Sequence, residues 1–197
     1  MEDFLNIQTD WFGKKYMPLL GRRFWTFKIA LNLFLQRNNQ VIIETGCQRL
    51  VDDWGAGCST TILGEFAHRY KKMFISVDNK EDNLNKAKEI TREYAEDIEY
   101  KLSDSIQYLE NFPSIIDFLY LDSYDCAPEN EEITLQAQNH QLKEIKAAYD
   151  KLSMTAIVLL DDNYYPNGGK TKLAKQFLKD HRWVNIMDYE QSLWVPA

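Results

Sequence analysis

Acidic side chains end each of the short apolar runs in the central part of this sequence. In chain order these acids are Glu44, Asp78, Asp104, Asp122 and the pair Asp161-Asp162. Taken alone, one acid at the end of a strand is most simply a turn residue or a helix cap. Five runs that all end this way favour a shared function, because the carboxyl ends of parallel strands meet at one edge of a sheet, where open α/β folds bind ligands.

The first run leads into glycines that suit close contact with a ligand. Residues 41–43 are β-branched and apolar, which predicts a buried strand of a parallel sheet that ends at Glu44. Gly46 would let a ligand approach the backbone, and the helix predicted after it would offer its amino end to a polar group. The loop before this helix and its first turn contain Gly55, Gly57 and Ser59.

Two later acids suit particular parts of a nucleoside. Asp78 follows the second run, one strand beyond the glycines, where a carboxylate can accept hydrogen bonds from both hydroxyls of a ribose. Asp104 and Ser105 follow the third run, where a carboxylate could accept a hydrogen bond from the exocyclic amine of adenine. These acids therefore predict a pocket for a nucleoside-containing cofactor.

Alternating apolar and amphipathic segments indicate the fold that brings these acids together. The predicted strands are 41–44, 73–78, 98–102, 116–122 and 155–162, and the predicted helices between them are 59–70, 81–95, 105–112 and 135–152. This alternation predicts an α/β fold with a parallel sheet and helices on both faces. After a predicted helix at 170–180, strands at 183–189 and 192–195 are so closely connected that they must be antiparallel neighbours.

The first 40 residues are predicted to form a helical cap on the domain formed by residues 41–197. Apolar residues recur at three- and four-residue steps within 11–37, with a break at Gly21. Their apolar side would pack on the sheet or on a second copy of the chain, which leaves a homodimer open. Residues 1–40 carry a net charge of +3, most simply on a solvated basic face.

Composition indicates a soluble, cytoplasmic protein. The 197 residues are 45% hydrophobic, carry a net charge of −7 and include three cysteines. The acidic balance makes a nucleic-acid partner unexpected. No apolar run reaches ~18 residues and the amino end lacks a basic-then-apolar pattern, so neither a membrane span nor a signal peptide is expected. An odd number of cysteines without CxxC spacing is typical of reduced cytosolic thiols.

The acids and glycines resemble the motifs of class I S-adenosylmethionine-dependent methyltransferases over about residues 41–197. The resembling segments are Glu44-Thr45-Gly46, Asp78, Ser103-Asp104-Ser105 and Tyr120-Leu121-Asp122. The resemblance implies a doubly wound, seven-stranded sheet of order 3-2-1-4-5-7-6 with the last strand antiparallel. It also implies S-adenosylmethionine as the cofactor. One departure is that residues 47–53 split the glycine motif; Gln48 and Arg49 there either reach the methionine carboxylate or lie in a solvated loop.

A narrower resemblance concerns the acceptor side. Asp122, Asp162 and Asn163 are similar to the metal triad of catechol-type and caffeoyl-CoA-type O-methyltransferases. The resemblance implies a divalent cation such as Mg²⁺, which would orient the oxygen of the acceptor and lower the pKa of its hydroxyl. The alternative is that an Asp-Asn pair after a strand forms a turn. The lysine expected after the strand-four acid is absent, and Asp125 stands there instead.

The predicted segment 123–139 is long and acidic, and it is either a solvated loop or a lid over the acceptor. His140 follows it and is the histidine to consider as a general base, although a lone histidine is more often structural.

These observations favour a methyltransferase that uses S-adenosylmethionine on the oxygen of a small molecule. Asp122 would hold the metal, or would orient the acceptor if no metal binds. A nicotinamide-dependent oxidoreductase shares the ribose acid, but the sequence lacks an intact GxGxxG after the first strand. A second alternative is a non-catalytic relative that keeps the fold as a binding module.

Overall fold

Seven strands form one sheet, and the predicted site residues gather at one of its edges. The computed structural model describes residues 11–55 and 58–197, so Gly57 lies outside the described residues. The strands are β1 (Val41–Thr45), β2 (Met73–Asp78), β3 (Ile98–Leu102), β4 (Ile116–Leu121), β5 (Leu152–Leu160), β6 (Trp183–Asp188) and β7 (Ser192–Pro196). The helices are α1 (Trp11–Leu20), α2 (Arg23–Gln36), α3 (Ser59–Tyr70), α4 (Glu81–Ile90), α5 (Ser105–Asn111), α6 (Glu131–Ala148) and α7 (Lys172–Asp180). None of these helices combines the length and the apolar character that a membrane crossing requires.

Strand order and direction confirm the predicted topology. The order across the sheet is β3-β2-β1-β4-β5-β7-β6. Strands β1 to β5 pair with one another in parallel. Strand β7 lies between β5 and β6 and is antiparallel to both. The carboxyl ends of β1 to β5 therefore all face the same edge.

Both faces of the central strands are apolar, as expected of a parallel sheet covered on two sides. Because successive residues of a strand point to opposite faces, β1 places Ile42 against the layer that contains α1, α2 and α3. Its next residue, Ile43, packs in the opposite layer with side chains from α5, α6 and α7. Burial on both faces fixes the register of β1 and hence the position of the residues that follow it.

The amino-terminal helices pack on the sheet. The stretch predicted as helical over 11–37 is divided into α1 and α2 near Gly21, whose φ of +51° suits glycine. The ring of Phe27 lies 5.6 Å from that of Tyr120 on β4. Helix α2 is buried on most of its circumference, and Arg23 is among its buried residues. The prediction that the basic side chains of the cap form a solvated face is therefore wrong for Arg23.

Helix α6 begins earlier than predicted, at Glu131 instead of 135. The side chain of Asn130 accepts hydrogen bonds from two backbone N–H groups of the first turn. Acids in that turn are favoured by the helix dipole, so part of the acidic run belongs to the helix. The predicted loop 123–139 is consequently shortened to 122–130.

Candidate functional site

A polar cavity of about 600 Å³ opens at the carboxyl ends of β1, β2, β4 and β5. Strand order reverses between β1 and β4, which makes this the position where open α/β sheets bind ligands. Leu50 and Tyr165 are the large apolar side chains among the described residues of its wall. The wall is otherwise dominated by charged and polar side chains, so a ligand here is recognised mainly by hydrogen bonds and charge.

Asp78, which was predicted as a ribose contact, lies in this cavity at the end of β2. Its residue surface is only 8% exposed. Oδ1 accepts from the backbone N–H of Lys80 at 2.8 Å, and Oδ2 accepts from that of Cys47 at 3.3 Å. The amide of Asn83 donates to both carboxylate oxygens, at 3.1 and 3.2 Å. A single donor group, the Asn83 amide, therefore spans both carboxylate oxygens of Asp78.

Glu44, predicted as a cofactor contact, is fully buried and does not line the cavity. Its Oε2 accepts hydrogen bonds from the hydroxyls of Thr60 at 2.8 Å and Ser76 at 2.7 Å. Burial raises the pKa of Glu44 to about 7, against the opposing effect of the neighbouring hydroxyl groups. In this arrangement Glu44 ties β1 to β2 and to the start of α3 instead of facing a ligand.

Gly46 lines the cavity, and the close approach of another backbone segment requires glycine at this position. A Cβ atom on Gly46 would lie 2.4 Å from the carbonyl oxygen of Asp122, and its φ is +81°. The glycine therefore lets the loops after β1 and β4 meet. Gly55 and Ser59 also line the cavity, as predicted for the segment that opens α3.

Asp104, Ser105 and His140 do not line the cavity. Asp104 caps α5 by accepting from the backbone N–H of Gln107 at 2.9 Å. The Ser105 hydroxyl lies 3.1 Å from Nε2 of His140, and the same nitrogen is 3.6 Å from the buried carboxylate of Glu144. Ser105 and Glu144 both contact Nε2 of His140. A catalytic histidine would instead use one ring nitrogen as the base while an acid orients the ring through the other nitrogen. The geometry does not place His140 as the general base of the cavity.

Arg23 joins the cap to the acids after β5. Its Nε donates to Oδ1 of Asp161 at 3.1 Å, and its Nη1 donates to the carbonyl of Gly55 at 2.5 Å. Asp161 also accepts a hydrogen bond from the hydroxyl of Tyr120. The Arg23 side chain is 9% exposed. Burial opposes its charge, yet Asp161 and its acidic neighbours outweigh that effect and raise the pKa of Arg23 above its ordinary value.

Lys170 joins Asp122 to Asp162. Its ammonium contacts Oδ1 of Asp122 and lies 3.1 Å from Oδ2 of Asp162. It also donates to the carbonyl of Tyr124 at 3.2 Å. Burial alone would lower the pKa of Lys170, but the two carboxylates outweigh it and raise that pKa. For Asp122, burial and the neighbouring carboxylates raise the pKa while Lys170 opposes the rise.

Asn163 points away from Asp122 and Asp162, which contradicts the predicted metal triad. Its amide donates to Asp188 at 3.1 Å and to the carbonyl of Tyr189 at 2.7 Å. Its Oδ1 accepts from Lys175 at 2.9 Å. In the described part of the chain, no group of three or more His, Cys, Asp or Glu side chains is arranged to hold a metal ion. The residues present do not fit Mg²⁺, because an ammonium already lies between the two acids and the third ligand faces elsewhere.

An exposed salt bridge forms part of the wall of the cavity. Arg49, from the segment that splits the glycine motif, lies 2.8 Å from Oδ1 of Asp125 in the loop after β4. Both residues line the cavity. Asp125, where the resemblance called for a lysine, therefore binds a cation of the inserted loop.

Sequence reasoning missed Arg23 and Lys170, although both left a signal. Arg23 begins a helix that is apolar on most sides, so its polar residues had little solvent-facing surface to occupy. Lys170 follows Asn167, Gly168 and Gly169, a run whose φ values are all positive and which therefore forms a tight turn. More generally, a buried carboxylate needs hydrogen bonds or a cation as its partner, so lysines and arginines are candidates wherever such acids cluster.

Several solved structures with the same fold are methyltransferases. The SAH-bound methyltransferase PaMTH1 of Podospora anserina matches with a TM-score of 0.64 at 12% identity, over 95% of this chain and 84% of that chain. The apo structure of CalS11, a TDP-rhamnose 3′-O-methyltransferase of calicheamicin biosynthesis, matches with a TM-score of 0.60 at 15% identity, over 97% and 87%. A ribosomal protein L11 methylase of Lactobacillus delbrueckii subsp. bulgaricus matches with a TM-score of 0.52 at 11% identity, over 87% and 77%.

The chain therefore has the class I methyltransferase fold, as the sequence resemblance implied. At these identities the likeness concerns the fold, and the acceptors named for two of these structures, a ribosomal protein and a TDP-rhamnose, differ in kind. No protein-family model matches the sequence, and a search of curated proteins finds no match.

Proposed function

We propose that this protein is an S-adenosylmethionine-dependent methyltransferase that acts on a hydroxyl group of a small, polar acceptor. The observation that carries the proposal is Asp78, a nearly buried carboxylate at the end of β2 on the wall of the cavity, in a chain with the class I methyltransferase fold. Its two oxygens fit the ribose hydroxyls of the cofactor once the amide of Asn83 turns away.

The chemistry of the cavity wall fits the cofactor. Asp78 would hold the ribose, while Gly46, Gly55 and Ser59 border the region where the methionine end would lie. When bound, S-adenosylmethionine supplies an activated methyl group on a sulfonium. The remaining task of the protein is to position an acceptor and to receive its proton.

Oxygen is favoured as the acceptor atom because carboxylates border this half of the cavity. Asp122 and Asp162 both line it, and Asp122 is 24% exposed at its side chain. A hydroxyl that donates a hydrogen bond to Asp122 would hand its proton to that carboxylate as the oxygen forms its bond to the methyl carbon. The cofactor, when bound, would supply the methyl group and would keep the electron pair of the broken carbon–sulfur bond on its sulfur.

A small acceptor is favoured by the size of the cavity. The cavity measures about 600 Å³, within the usual range for small-molecule sites. The Arg49–Asp125 salt bridge forms part of its wall. A polar acceptor suits a wall with few large apolar side chains.

The test is calorimetric titration with S-adenosylmethionine, S-adenosylhomocysteine and NAD. We expect binding of the first two and none of NAD. Asp78→Ala should weaken S-adenosylhomocysteine binding by about 1.5–3 kcal/mol, the range for hydrogen bonds to a charged group. Asp117→Ala is the matched control, because Asp117 also accepts backbone N–H bonds but lies near the start of β4, away from the cavity.

Equal affinities in wild type and Asp78→Ala would remove the ribose assignment. Failure of the wild type to bind either compound would remove the methyltransferase proposal and leave the non-catalytic binding module.

A further inference from the structure

The ammonium of Lys170 is almost fully buried beside the acceptor half of the cavity. The Lys170 side chain is 2% exposed. The ammonium donates hydrogen bonds to Asp122 Oδ1 and to the Tyr124 carbonyl, and it forms an ion pair with Asp162 Oδ2 at 3.1 Å. Lys170 is therefore a buried cation with two carboxylates and a carbonyl oxygen beside it, and not a solvated surface lysine.

The backbone delivers Lys170 to this position. Gly169 has a φ of +54°, and a Cβ atom there would lie 1.8 Å from the carbonyl oxygen of Asp162. The next N–H, that of Lys170, donates to the same carbonyl at 3.2 Å. The Gly169 carbonyl accepts from Gln138 of α6 at 2.8 Å. The turn before Lys170 is thus fastened both to the end of β5 and to α6, which fixes where the ammonium lies.

The three oxygens around the ammonium are of the kind that a hard divalent cation uses. Two carboxylates and a backbone carbonyl are typical ligands of Mg²⁺, Mn²⁺ and Ca²⁺. The ammonium occupies the space between them. A metal ion could not enter without displacing Lys170, and its positive charge would be repelled by the one already present.

We infer that Lys170 is the resident cation of the acceptor site and makes this site independent of metal. It is a positioning residue: it holds Asp122 and Asp162 in fixed places beside the cavity and balances their charge. Asp122 meets the acceptor, and Lys170 acts through it. The inference that the ammonium excludes a metal rests on the oxygens around it, while the link to methyl transfer rests on the proposed function.

The experiment replaces the ammonium and asks whether a metal takes its place. Mn²⁺ is the probe, and binding is measured by calorimetry and by electron paramagnetic resonance. Wild type is expected to show no saturable binding up to millimolar Mn²⁺. Lys170→Ala should bind Mn²⁺ at least tenfold more tightly than wild type, and adding Asp162→Asn to Lys170→Ala should abolish the gain.

Lys175→Ala is the matched control. Lys175 is a partly buried lysine that contacts Asp188 and Asn163 but neither of the acids held by Lys170. Its removal should create no Mn²⁺ binding. Circular dichroism confirms that each variant is folded, and Lys170→Gln serves if Lys170→Ala does not fold.

Two results would overturn the inference. One is saturable binding of Mn²⁺ to wild type with the affinity of the Lys170 variants. The other is a folded Lys170 variant that gains no Mn²⁺ binding. Titration of the same samples with S-adenosylhomocysteine separates the metal question from the cofactor question. If wild type does not bind S-adenosylhomocysteine, the proposed function is refuted, but the Mn²⁺ result still tests whether Lys170 excludes a metal.

Discussion

Replacing Glu44 by Gln should change how stability depends on pH. Glu44 is fully buried on β1, and its Oε2 accepts hydrogen bonds from Thr60 and Ser76. Its Oε1 has no hydrogen-bond partner among the described residues. Glutamine has the same shape and keeps a carbonyl oxygen for the two hydroxyls, but it never takes on a negative charge. Glu44→Gln therefore isolates the contribution of the ionisation.

The size of the expected change in unfolding free energy follows from the pKa of Glu44. Burial raises the pKa of Glu44 from 4.5 to about 7 in the folded protein. Because the folded state then holds the proton more tightly than the unfolded chain, the stabilising contribution is fully present below pH 4.5 and is lost as the pH rises through 7. A difference of about 2.5 in pKa corresponds to about 3 kcal/mol. As the pH rises from 4 to 8, wild type should lose about 3 kcal/mol of unfolding free energy that Glu44→Gln does not lose. The difference in unfolding free energy between variant and wild type should therefore shift by about 3 kcal/mol in favour of the variant.

Urea unfolding of both proteins at several pH values in that range measures this difference. Glu65→Gln is a control of opposite sign, since hydrogen bonds from Lys15, Tyr16 and Arg69 overcome the effect of burial and lower the pKa of Glu65. Its contribution is present above the unfolded pKa and is lost as the pH falls through the folded pKa, so Glu65→Gln should cost stability at neutral pH. Parallel pH curves for Glu44→Gln and wild type would refute the reasoning.

Two further variants test the contacts within the cavity. Asn83→Ala removes the amide that competes for both oxygens of Asp78, so S-adenosylhomocysteine should bind more tightly by about 1 kcal/mol, the scale of one hydrogen bond; weaker binding in calorimetry would make Asn83 a cofactor contact instead. Arg23→Met leaves Asp161 buried without its cation and should lower the unfolding free energy by about 3–5 kcal/mol. A loss below about 1 kcal/mol in urea unfolding would contradict the assignment of Arg23 as a buried partner.

The fold was predictable because its determinants are local. The strand Met73–Asp78, the strand Ile98–Leu102 and the helix Ser59–Tyr70 begin and end where the apolar pattern indicates. The closely connected final strands fix an antiparallel pair by chain length alone. Boundaries failed where local patterns mislead: the acidic residues before 135 look like a loop, but Asn130 caps them into α6.

The site was only partly predictable, because its cations come from distant parts of the chain. The acids at the strand ends could be placed in one region, since parallel strands share an edge. The cations that pair with these acids could not be predicted by the same argument, because they are distant in sequence. Arg23 and Asp161 are 138 residues apart, and Lys170 and Asp122 are 48 apart. The sequence suggested a metal at Asp122, Asp162 and Asn163, or an orienting role for these residues without one. In the structure, the turn at Gly169 places the ammonium of Lys170 beside Asp122 and Asp162.

Arg23 also shows what the amino-terminal helices contribute to the cavity. Arg23 contacts Asp161 on the acceptor side and the carbonyl of Gly55 in the glycine loop. One side chain from α2 therefore holds both halves of the cavity, so α2 is part of the site as well as a cover for the sheet. Without it, Asp161 would keep the hydrogen bond from Tyr120 but no ion-pair partner from the cap, and a buried carboxylate left in that state is strongly destabilising. In the proposed arrangement, the acids that follow β4 and β5 border the acceptor half of the cavity, and two cations from flanking segments, Arg23 and Lys170, hold these acids in place.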